Sequence, residues 1–549
     1  MRNSRGMVRV LLISVALMTV ITLLVPVLTA EKGYPVAGNP ELSIWFPLPG
    51  GSVFKNFSEV LCFKEASKRT GIKINWTNPT TGLDNEQFSL MLASRKLPDM
   101  LTLPSGLGGW NSGGNAEKFY KDGIIIKLND LIDKYAPNLK ALLNKNAELR
   151  KQLMADDGSI YYVPQMRLRP EIRVYAGFFI RRDWMNKLGL KDPKTPDEWY
   201  NVLKAFKTRD PNGNGKADEI PFGGSKHPGG GPFEMMKLPW MFGANIGSSW
   251  NNGLQQQNGK VVFSPITPEY KAALTWINKL YAEGLIDPDF AITDRNGFQA
   301  KVLADRVGAT FGNAGSGITY FMTNMVGKEP KSFRMEGVPY PKAPGSKPYS
   351  FDNSVINLAT GSGLAITTAC KNPIAAIKFL DYGFSKEGHM LFNFGVEGLT
   401  YKMVKGYPTY TEMITKNRQG LNITQALGLY VYGTNWMTDQ DGRYFEQYQK
   451  IPVPGVQGTP AWDAIQIWTK SMDTSRILPS VNPRPEEVQA ISAKLTEIST
   501  YVLEMYYKFI MGTAKLSEFD AYVAQVKKMG IDDVVKVYQA ALDRYNKRK

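Results

Sequence analysis

Strands and helices alternate in the first part of this chain, and that alternation constrains the fold more than any other feature. Apolar runs at residues 42–46, 72–76 and 99–103 are typical of buried strands, and amphipathic patterns at residues 54–69 and 85–95 separate them. Parallel strands need a crossover of about a dozen residues or more, which helices of this length supply. The sequence therefore predicts an α/β sheet with right-handed crossovers.

Helix starts further along the chain are marked by a capping residue followed by proline. Residues 195–198 (TPDE) form a capping box, and the same pairing of cap and proline precedes helices expected at residues 268–283 and 373–384. The region from 485 to 545 carries an almost continuous helical pattern, broken at Gly512 and Gly530. A chain of 549 residues is too long for one simple core, so we expect two or three domains.

The N-terminus indicates export. Arg2, Arg5 and Arg9 precede an apolar run over residues 10–28, and Ala30 offers a small residue at a cleavage point. This pattern is typical of a signal peptide over residues 1–30. The run is also long enough for an uncleaved membrane anchor. Both alternatives place the protein outside the cytoplasm, periplasmic or extracellular and membrane-associated.

The net charge and its distribution bear on the class of partner, and the number of cysteines limits the possible disulfides. The net charge is +16, but the basic residues are dispersed and no nucleic-acid-binding motif is present, so we expect no nucleic-acid partner. Cys62 and Cys370 are the only cysteines. A disulfide between them is conceivable in an oxidising compartment, but their apolar surroundings favour two buried free thiols.

A loop rich in oxygen-bearing side chains, DPNGNGKADE at residues 210–219, predicts a calcium site. Calcium takes six to eight oxygen ligands, which alternate residues of a tight turn can supply. The candidate ligands are Asp210, Asn212, Asn214, Lys216 through its backbone carbonyl, Asp218 and Glu219. The spacing follows an EF-hand loop up to the ninth position, but the twelfth is Pro221, so Glu219 would act as the substitute ligand. The alternative is a turn whose asparagines and glycines serve backbone geometry alone.

Several motifs occur in the order in which they are found in one protein family. They are TGIKINW at residues 70–76, MLASRKLPDM at 91–100, FIRRDW at 179–184, TPDEW at 195–199, GLIDPDF at 284–290 and FNFGVEG at 392–398. With them the chain resembles the extracellular solute-binding proteins of ABC sugar transporters, and most of all the long branch with the alginate-binding periplasmic proteins. Those proteins carry a similar calcium loop. The lipid-attachment cysteine of many Gram-positive members is missing here.

The resemblance implies a periplasmic-binding-protein-like α/β fold of two lobes with a hinge between them and a ligand cleft. The first lobe would hold residues 40–168 and 350–400, and the second would hold residues 169–349 and 401–549. It implies that the protein captures an oligosaccharide outside the membrane and delivers it to the permease subunits of an ABC transporter by lobe closure. We expect a monomer.

Flat aromatic rings and polar side chains of fixed geometry suit a sugar, which presents apolar C–H faces and a rim of hydroxyl groups. Candidates for ligand binding are Trp110 in a glycine-rich loop, Trp240, Tyr432 and Trp436 in a polar segment, and Phe311 with Asn313 after an expected strand. Trp110 in particular is expected to be exposed. Trp45, Trp76, Trp184, Trp199 and Trp276 lie within strand or helix patterns and are expected in the core.

Three arginines near the expected crossing between lobes suggest a charged ligand. Arg167, Arg169 and Arg173 fall on one side of an extended strand, where guanidinium groups could bind uronate carboxylates in a bidentate manner. The alternative is a solvated strand edge that pairs with acids such as Glu171.

An exported carbohydrate-active enzyme, similar to a glycoside hydrolase, is the competing function. The chain has two histidines, His227 and His389, and lacks a Gly-x-Ser-x-Gly elbow, a Walker loop and a dinucleotide-binding glycine pattern. A glycoside hydrolase needs only two carboxyl groups, so the scarcity of histidine does not decide the question. The resemblance favours a binding protein without catalytic residues.

Overall fold

The structure, a computed structural model, describes residues 33–548 except for residues 112–113, 228–232, 248–251, 433–435, 451 and 453–454. The segment that the sequence predicts as a signal peptide or anchor, residues 1–30, lies outside the described residues. In the described part of the chain, no helix combines the length and the apolar character that crossing a membrane requires.

The elements alternate as the sequence predicts. The strands are β1 (Glu41–Trp45), β2 (Lys73–Thr77), β3 (Met100–Leu101), β4 (Val163–Met166), β5 (Ala176–Arg181), β6 (Ile220–Phe222), β7 (Leu254–Gln257), β8 (Lys260–Phe263), β9 (Val307–Asn313), β10 (Met335–Gly337), β11 (Ala359–Ile366), β12 (Tyr401–Val404) and β13 (Tyr407–Tyr410). The α-helices span Leu61–Thr70, Asp84–Ser94, Asn115–Lys121, Asn129–Tyr135, Pro137–Lys145, Ala147–Leu153, Pro170–Arg173, Arg182–Lys187, Pro196–Thr208, Pro268–Ala282, Arg295–Leu303, Tyr320–Met325, Pro373–Tyr382, Lys386–Phe394, Glu412–Thr415, Ile423–Tyr430, Gly442–Gln449, Pro460–Ser471, Pro485–Met511, Phe519–Lys528 and Ile531–Lys547.

The three helices whose starts are marked by a cap and a proline begin there, and the C-terminal helices break at the predicted glycines, whereas the helix expected at residues 54–69 begins only at Leu61. The hydroxyl oxygen of Thr195 accepts a hydrogen bond from the backbone N–H of Glu198, and Thr267 and Asn372 cap their helices in the same way. Gly512 ends the longest helix in the left-handed conformation, and Gly530 stands in that conformation before the last helix. Side-chain caps satisfy backbone donors that the first helical turn leaves unpaired. These helix starts could therefore be predicted from residues within one turn of the boundary.

The first lobe is built on a five-stranded sheet with the order β2-β1-β3-β11-β4. β1 runs parallel to β2 and β3, whereas β11 runs antiparallel to β3 and β4. The three parallel strands are those that the alternation of apolar runs predicts. β11 is reached only after the chain has built most of the second lobe, so the sheet needs both halves of the sequence to be complete.

The second lobe is built on a four-stranded sheet with the order β10-β5-β9-β6, in which β6 pairs parallel to β9 and the other pairs are antiparallel. Its core takes in Trp184 and Trp199, as the sequence predicts, and Trp276 packs against it. Trp45 lies in the core of the first lobe, and Trp76 packs against that core. The prediction that these five tryptophans are structural agrees with their positions.

The boundary between the lobes differs from the prediction. The first core contains residues from 42–166, 359–392 and 432–437, and the second contains residues from 174–351 and 461–545. A third, smaller core is formed within residues 394–444. The sequence predicts residues 401–549 in the second lobe, whereas Tyr432, Trp436 and Met437 lie in the first core and Tyr401, Tyr410 and Tyr444 lie in the third.

Three chain crossings connect the lobes and are hydrogen-bonded side by side. The N–H of Met166 donates to the carbonyl of Thr438 at 2.9 Å, and the N–H of Gln440 donates to the carbonyl of Met166 at 2.8 Å. On the other side, the N–H of Arg167 donates to the carbonyl of Leu358 at 2.7 Å. The three segments therefore form one narrow ribbon from which both lobes extend.

Both cysteines are free, as the sequence predicts, but only one of them is fully buried. Cys62 lies in the first core, and Cys370 is half-buried at the surface of the same lobe. Burial raises the pKa of the Cys370 thiol to about 12, so the reactive thiolate is suppressed there.

The C-terminal helix ties the second lobe to the first. Arg544 forms ion pairs with Asp156 at 2.6 Å and with Glu487 at 2.6 Å, and Arg548 pairs with Asp156 at 2.8 Å. The Tyr545 hydroxyl donates to Glu148 at 2.6 Å. Glu148 lies in the first turn of the helix Ala147–Leu153 of the first lobe and Asp156 follows that helix, whereas Tyr545 packs in the second core. We call this set of contacts the C-terminal clasp.

We expect Arg544→Ala to lower the free energy of unfolding by about 1–3 kcal/mol, because two partly buried carboxylates lose a charged hydrogen-bond donor. Although burial opposes it, hydrogen bonding to Arg544 holds the pKa of Glu487 below 4.5. The contribution of Glu487 is therefore present above about pH 4.5 and is lost as the pH falls through its lowered pKa. Urea denaturation at pH 7 and at pH 3 measures both effects.

Lys494→Ala is the matched control for the clasp. Lys494 pairs with Asp533 in the same lobe, where both side chains are largely exposed, so its removal should leave the free energy of unfolding nearly unchanged. If the Arg544 and Lys494 variants had equal free energies of unfolding at pH 7, the ion pairs of the clasp would contribute no more to stability than an exposed ion pair does.

Candidate ligand-binding cleft

Two neighbouring cavities open beside the crossings and meet at Arg167 and Tyr175, which line both of them. The smaller has a volume of about 410 Å³, and the larger has a volume of about 990 Å³. A volume of about 300–1,000 Å³ holds a drug-sized ligand. The two cavities together could therefore hold a ligand of several sugar units, and they form one candidate cleft with two compartments.

The smaller cavity is lined mainly by apolar and aromatic side chains, and we call it the aromatic compartment. Tyr444, Phe445 and Tyr448 come from the helix Gly442–Gln449, where Tyr448 follows Phe445 by three residues and Tyr444 by four, so that it neighbours both. Tyr444 and Tyr448 are stacked with an angle of 11° between their rings. Tyr448 is half-buried and lines the compartment.

The larger cavity is lined by amide and hydroxyl side chains and backbone groups together with apolar side chains such as Leu478, Val488 and Leu495, and we call it the polar compartment. Asn353 and Asn357 come from the crossing before β11, and Ser492 and Thr496 come from the helix Pro485–Met511. Two glycine loops meet at its edge: a Cβ at Gly109 would lie only 2.5 Å from the Cα of Gly361. Glycine is therefore required for this close approach, which holds backbone donors and acceptors at the cavity surface.

Trp110 is not exposed, and the expectation that its glycine-rich loop leaves it uncovered was wrong. The ring is stacked on Tyr162 at 5.9 Å with an angle of 24°, and its indole N–H donates to the carbonyl of Gly363 at 2.9 Å. Only 1% of its surface is accessible. The neighbouring residues Gly109 and Asn111 reach the polar compartment instead.

Trp436 is also a core residue in this structure. Its ring packs edge-on against Phe63 at 4.6 Å and lies 5.6 Å from Phe392, and none of its surface is accessible. Trp240 and Phe311 pack against each other at 5.4 Å and are buried in the second lobe. None of these rings has a free face for stacking on a sugar, which corrects the roles predicted for them.

Asn313 ends β9 and does not line either compartment. Tyr432 does line the aromatic compartment, although only 3% of its surface is accessible. Its backbone has a φ of 51°, a left-handed conformation that is uncommon for a bulky residue and that clusters at functional sites. Of the residues predicted to bind ligand, Tyr432 and Arg167 are therefore the two that reach the cleft.

The three arginines do not share one strand face. β4 ends at Met166, and residues Pro170–Arg173 form a short helix, so the predicted alternation stops before Arg169. The Arg173 guanidinium donates to the carbonyl of Val355 at 2.7 Å and is occupied there. Arg169 is exposed, and its contact with Glu171 is long, at 4.0 Å.

The sequence does not single out six aromatic residues that line the cleft, namely Phe54, Tyr175, Tyr444, Phe445, Tyr448 and Tyr538. Three of them, Tyr444, Phe445 and Tyr448, lie on one helix rather than in a loop. The signal that could have revealed them is the pair Tyr444 and Tyr448, four residues apart on a helix whose opposite face carries charge.

The oxygen-rich loop folds around Asp210. The Asp210 carboxylate accepts hydrogen bonds from the N–H groups of Gly213, Asn214 and Gly215 at 2.9–3.1 Å. Gly215 has a φ of 72°, which favours glycine and allows the turn. The Asn214 amide donates to Asp218 at 3.0 Å. The loop is therefore a preformed turn with two carboxylates on it.

Glu219 is the feature of this loop that a turn alone does not explain. It is 3% exposed, and its Oε1 atom has no hydrogen-bond partner. Burial raises its pKa, and the carboxylates of Asp210 and Asp218 raise it further. Within the described residues no group of three His, Cys, Asp or Glu side chains converges as a metal site. The donor chemistry, with an unsatisfied buried carboxylate beside two others, nevertheless fits a hard cation.

Comparison with known proteins identifies relatives along nearly the whole chain. Residues 54–390 match the family model described as bacterial extracellular solute-binding protein. The fructooligosaccharide ABC transporter substrate-binding protein FusA of Streptococcus pneumoniae serotype 4 is 27% identical over 514 residues, which cover 90% of this chain and 89% of that protein.

Two solved structures are similar in fold. The alginate-binding protein AlgQ2 without calcium ion has 27% identity and a TM-score of 0.69, covering 93% of this chain and 100% of that one. An EF-hand mutant of FusA in complex with fructo-nystose has 25% identity and a TM-score of 0.67, with the same coverage. The two-lobed α/β fold that the sequence predicts is confirmed by these matches.

We expect Trp436→Ala to destabilise the first lobe by about 3–5 kcal/mol, because it leaves a large cavity among Phe63, Phe392 and their neighbours. Trp462→Ala is the control: Trp462 is half exposed, so less packing is lost. Urea denaturation measures both variants. A fully stable Trp436 variant that has lost ligand affinity would restore the role that the sequence predicted.

Proposed function

Because this chain belongs to the bacterial extracellular solute-binding proteins, we propose that it is the substrate-binding component of an ABC transporter that captures an oligosaccharide in the cleft between its lobes. The permease subunits of that transporter are its partners. Closure of the lobes about the three crossings delivers the cargo to them. The basic and apolar N-terminal segment directs the chain to the outer side of the membrane, as a signal peptide or as an anchor.

The observation that carries this proposal is the pairing of an aromatic with a polar compartment. Tyr448 offers a ring to the apolar C–H face of a sugar unit, and the asparagine and serine side chains of the polar compartment suit hydroxyl groups. The relatives FusA and AlgQ2 bear names that record binding of a fructooligosaccharide and of alginate. Both are carbohydrate chains, which supports a cargo of the same class here.

The charge of the cleft argues against a hydrolase. A glycoside hydrolase uses two carboxyl groups on either side of the scissile bond. Among the described residues that line the two compartments, Asp352 is the one acidic side chain. This supports binding without turnover.

We further propose that the loop at residues 210–219 holds a structural calcium ion. Asp210, Asn212, Asn214, Lys216 through its carbonyl, Asp218 and Glu219 are the donors. The unpartnered oxygen of buried Glu219 supports this assignment, because a cation would offset the charge that burial and its neighbours penalise. The loop precedes β6 and is bonded to the turn before β9 through Arg306 and Asp218, so the ion would stabilise the second sheet.

We expect neutral or acidic oligosaccharides to raise the melting temperature of the purified chain. A ligand that binds only the folded state adds about 2.7 kcal/mol to the free energy of unfolding at a hundredfold excess over its Kd. Tyr448→Ala should weaken that binding about fivefold to tenfold through loss of a stacking face. Tyr120→Ala, at an exposed position that lines neither compartment, is the control. Calorimetry measures the affinities, and product analysis after long incubation checks for turnover.

Chelation tests the calcium proposal without any sugar. Removing divalent cations should lower the melting temperature, and calcium should restore it, because the ion binds only the folded loop. Asp210→Ala and Glu219→Gln should abolish or weaken that response, whereas Asp130→Ala, which removes an exposed acid of the first lobe, should retain it. A melting temperature that is unchanged by chelator in the unmodified chain would rule out the ion.

A further inference from the structure

The polar compartment has one wall on each lobe. Asn111 and Gly361 line it from the first lobe. Ser492, on the helix Pro485–Met511, and Tyr538, on the C-terminal helix, line it from the second lobe. Access to the compartment therefore depends on the distance between these two helices and the first lobe.

The C-terminal clasp joins the same two helices to the first lobe. Glu487 immediately precedes Val488, which lines the compartment. Arg544 follows the lining residue Tyr538 by six positions, about 9 Å along the helix. Asp156 of the first lobe pairs with Arg544 at 2.6 Å. The clasp therefore holds the two walls of the compartment together close to the residues that line it.

The first-lobe half of the clasp is hydrogen-bonded to one of the chain crossings. The Gln152 side-chain amide donates to the carbonyl of Ile356 at 3.0 Å, and its oxygen accepts from the N–H of Leu358 at 2.8 Å. The same amide donates to Glu148 at 3.2 Å, and Glu148 is the acceptor for the Tyr545 hydroxyl. Glu148 is thereby held on the crossing and cannot follow the second lobe, so its bond to Tyr545 breaks when the lobes separate.

The clasp differs from the crossings because it is not covalent. Arg544 and Asp156 are 388 positions apart in the chain and keep 18% and 24% of their side-chain surface accessible. Water can therefore replace their charged hydrogen bond once the two groups part. Lys151 and Arg548 lie over the Tyr545 ring, at 4.5 Å and 5.2 Å from its centre, and these cation–π contacts are lost in the same movement.

We propose that the C-terminal clasp is a latch, which forms when the lobes close over the polar compartment and breaks when they open. Because it stabilises only the closed arrangement, it shifts the balance between open and closed lobes toward the closed one. It thereby slows the release of cargo from the compartment. That consequence rests on the proposed function, whereas the latch itself requires no sugar.

Pulsed electron spin resonance measures the balance between open and closed lobes without any ligand. One spin label is attached at Lys118→Cys in the first lobe and one at Glu497→Cys in the second, both exposed positions, in a chain that also carries Cys370→Ser. Burial raises the pKa of the Cys62 thiol, so this cysteine does not take up label. Closed and open lobes give a short and a long distance between the labels.

Loss of the clasp should increase the ratio of open to closed lobes. Arg544→Gln should raise this ratio about threefold to thirtyfold, because only the closed arrangement loses charged hydrogen bonds. Tyr545→Phe, which removes one hydroxyl and keeps the ring, should raise it by a smaller factor and replaces the first variant if that one does not fold. Sodium chloride at about 1 M should open the unmodified chain and have little further effect on Arg544→Gln.

Lys494→Gln is the matched control, because Lys494 pairs with Asp533 within the second lobe and should leave the ratio unchanged. A ratio that changes by less than about twofold in both clasp variants, or by as much in the control, would overturn the latch and leave oligosaccharide capture standing. A chain that opens on loss of the clasp but binds no oligosaccharide in calorimetry would overturn the proposed function and support the latch.

Discussion

The hydrogen bonds that join three separate crossings at Met166 are the constraint on which the rest of this structure depends. Each crossing enters or leaves a lobe, so the two sheets can be completed only if the crossings lie side by side. The bonds from Met166 to Thr438 and Gln440, and from Arg167 to Leu358, fix that arrangement. The cleft lies beside this ribbon, at the boundary between the two lobes.

Much of the fold could be predicted because its signals are local. The caps at Thr195, Thr267 and Asn372 and the glycines that interrupt the C-terminal helices depend on neighbours a few residues away. The boundary between the lobes could not be read in this way. Trp436 lies in the first core through contacts with Phe63 and Phe392, and sequence spacing does not reveal such pairing.

The candidate site was harder to predict than the fold for the same reason. Trp110 sits in a loop whose glycines suggest exposure, yet its indole N–H reaches Gly363, 253 residues away in the chain. Arg167 lies beside a crossing, where the sequence predicts it, and it lines both compartments. Arg169 and Arg173 do not share its strand face, because β4 ends at Met166 and residues Pro170–Arg173 form a short helix. An alternating pattern of residues does not predict where a strand ends.

The C-terminal clasp links the lobes by charge rather than by apolar contact. Arg544, Arg548, Asp156 and Glu487 form a network of ion pairs, three of whose members are joined across the lobe boundary. The free-energy cost of removing such groups from water decreases on warming, whereas the stabilisation from apolar burial levels off. On warming, this tie should therefore be kept better than an apolar contact of the same size between the lobes would be.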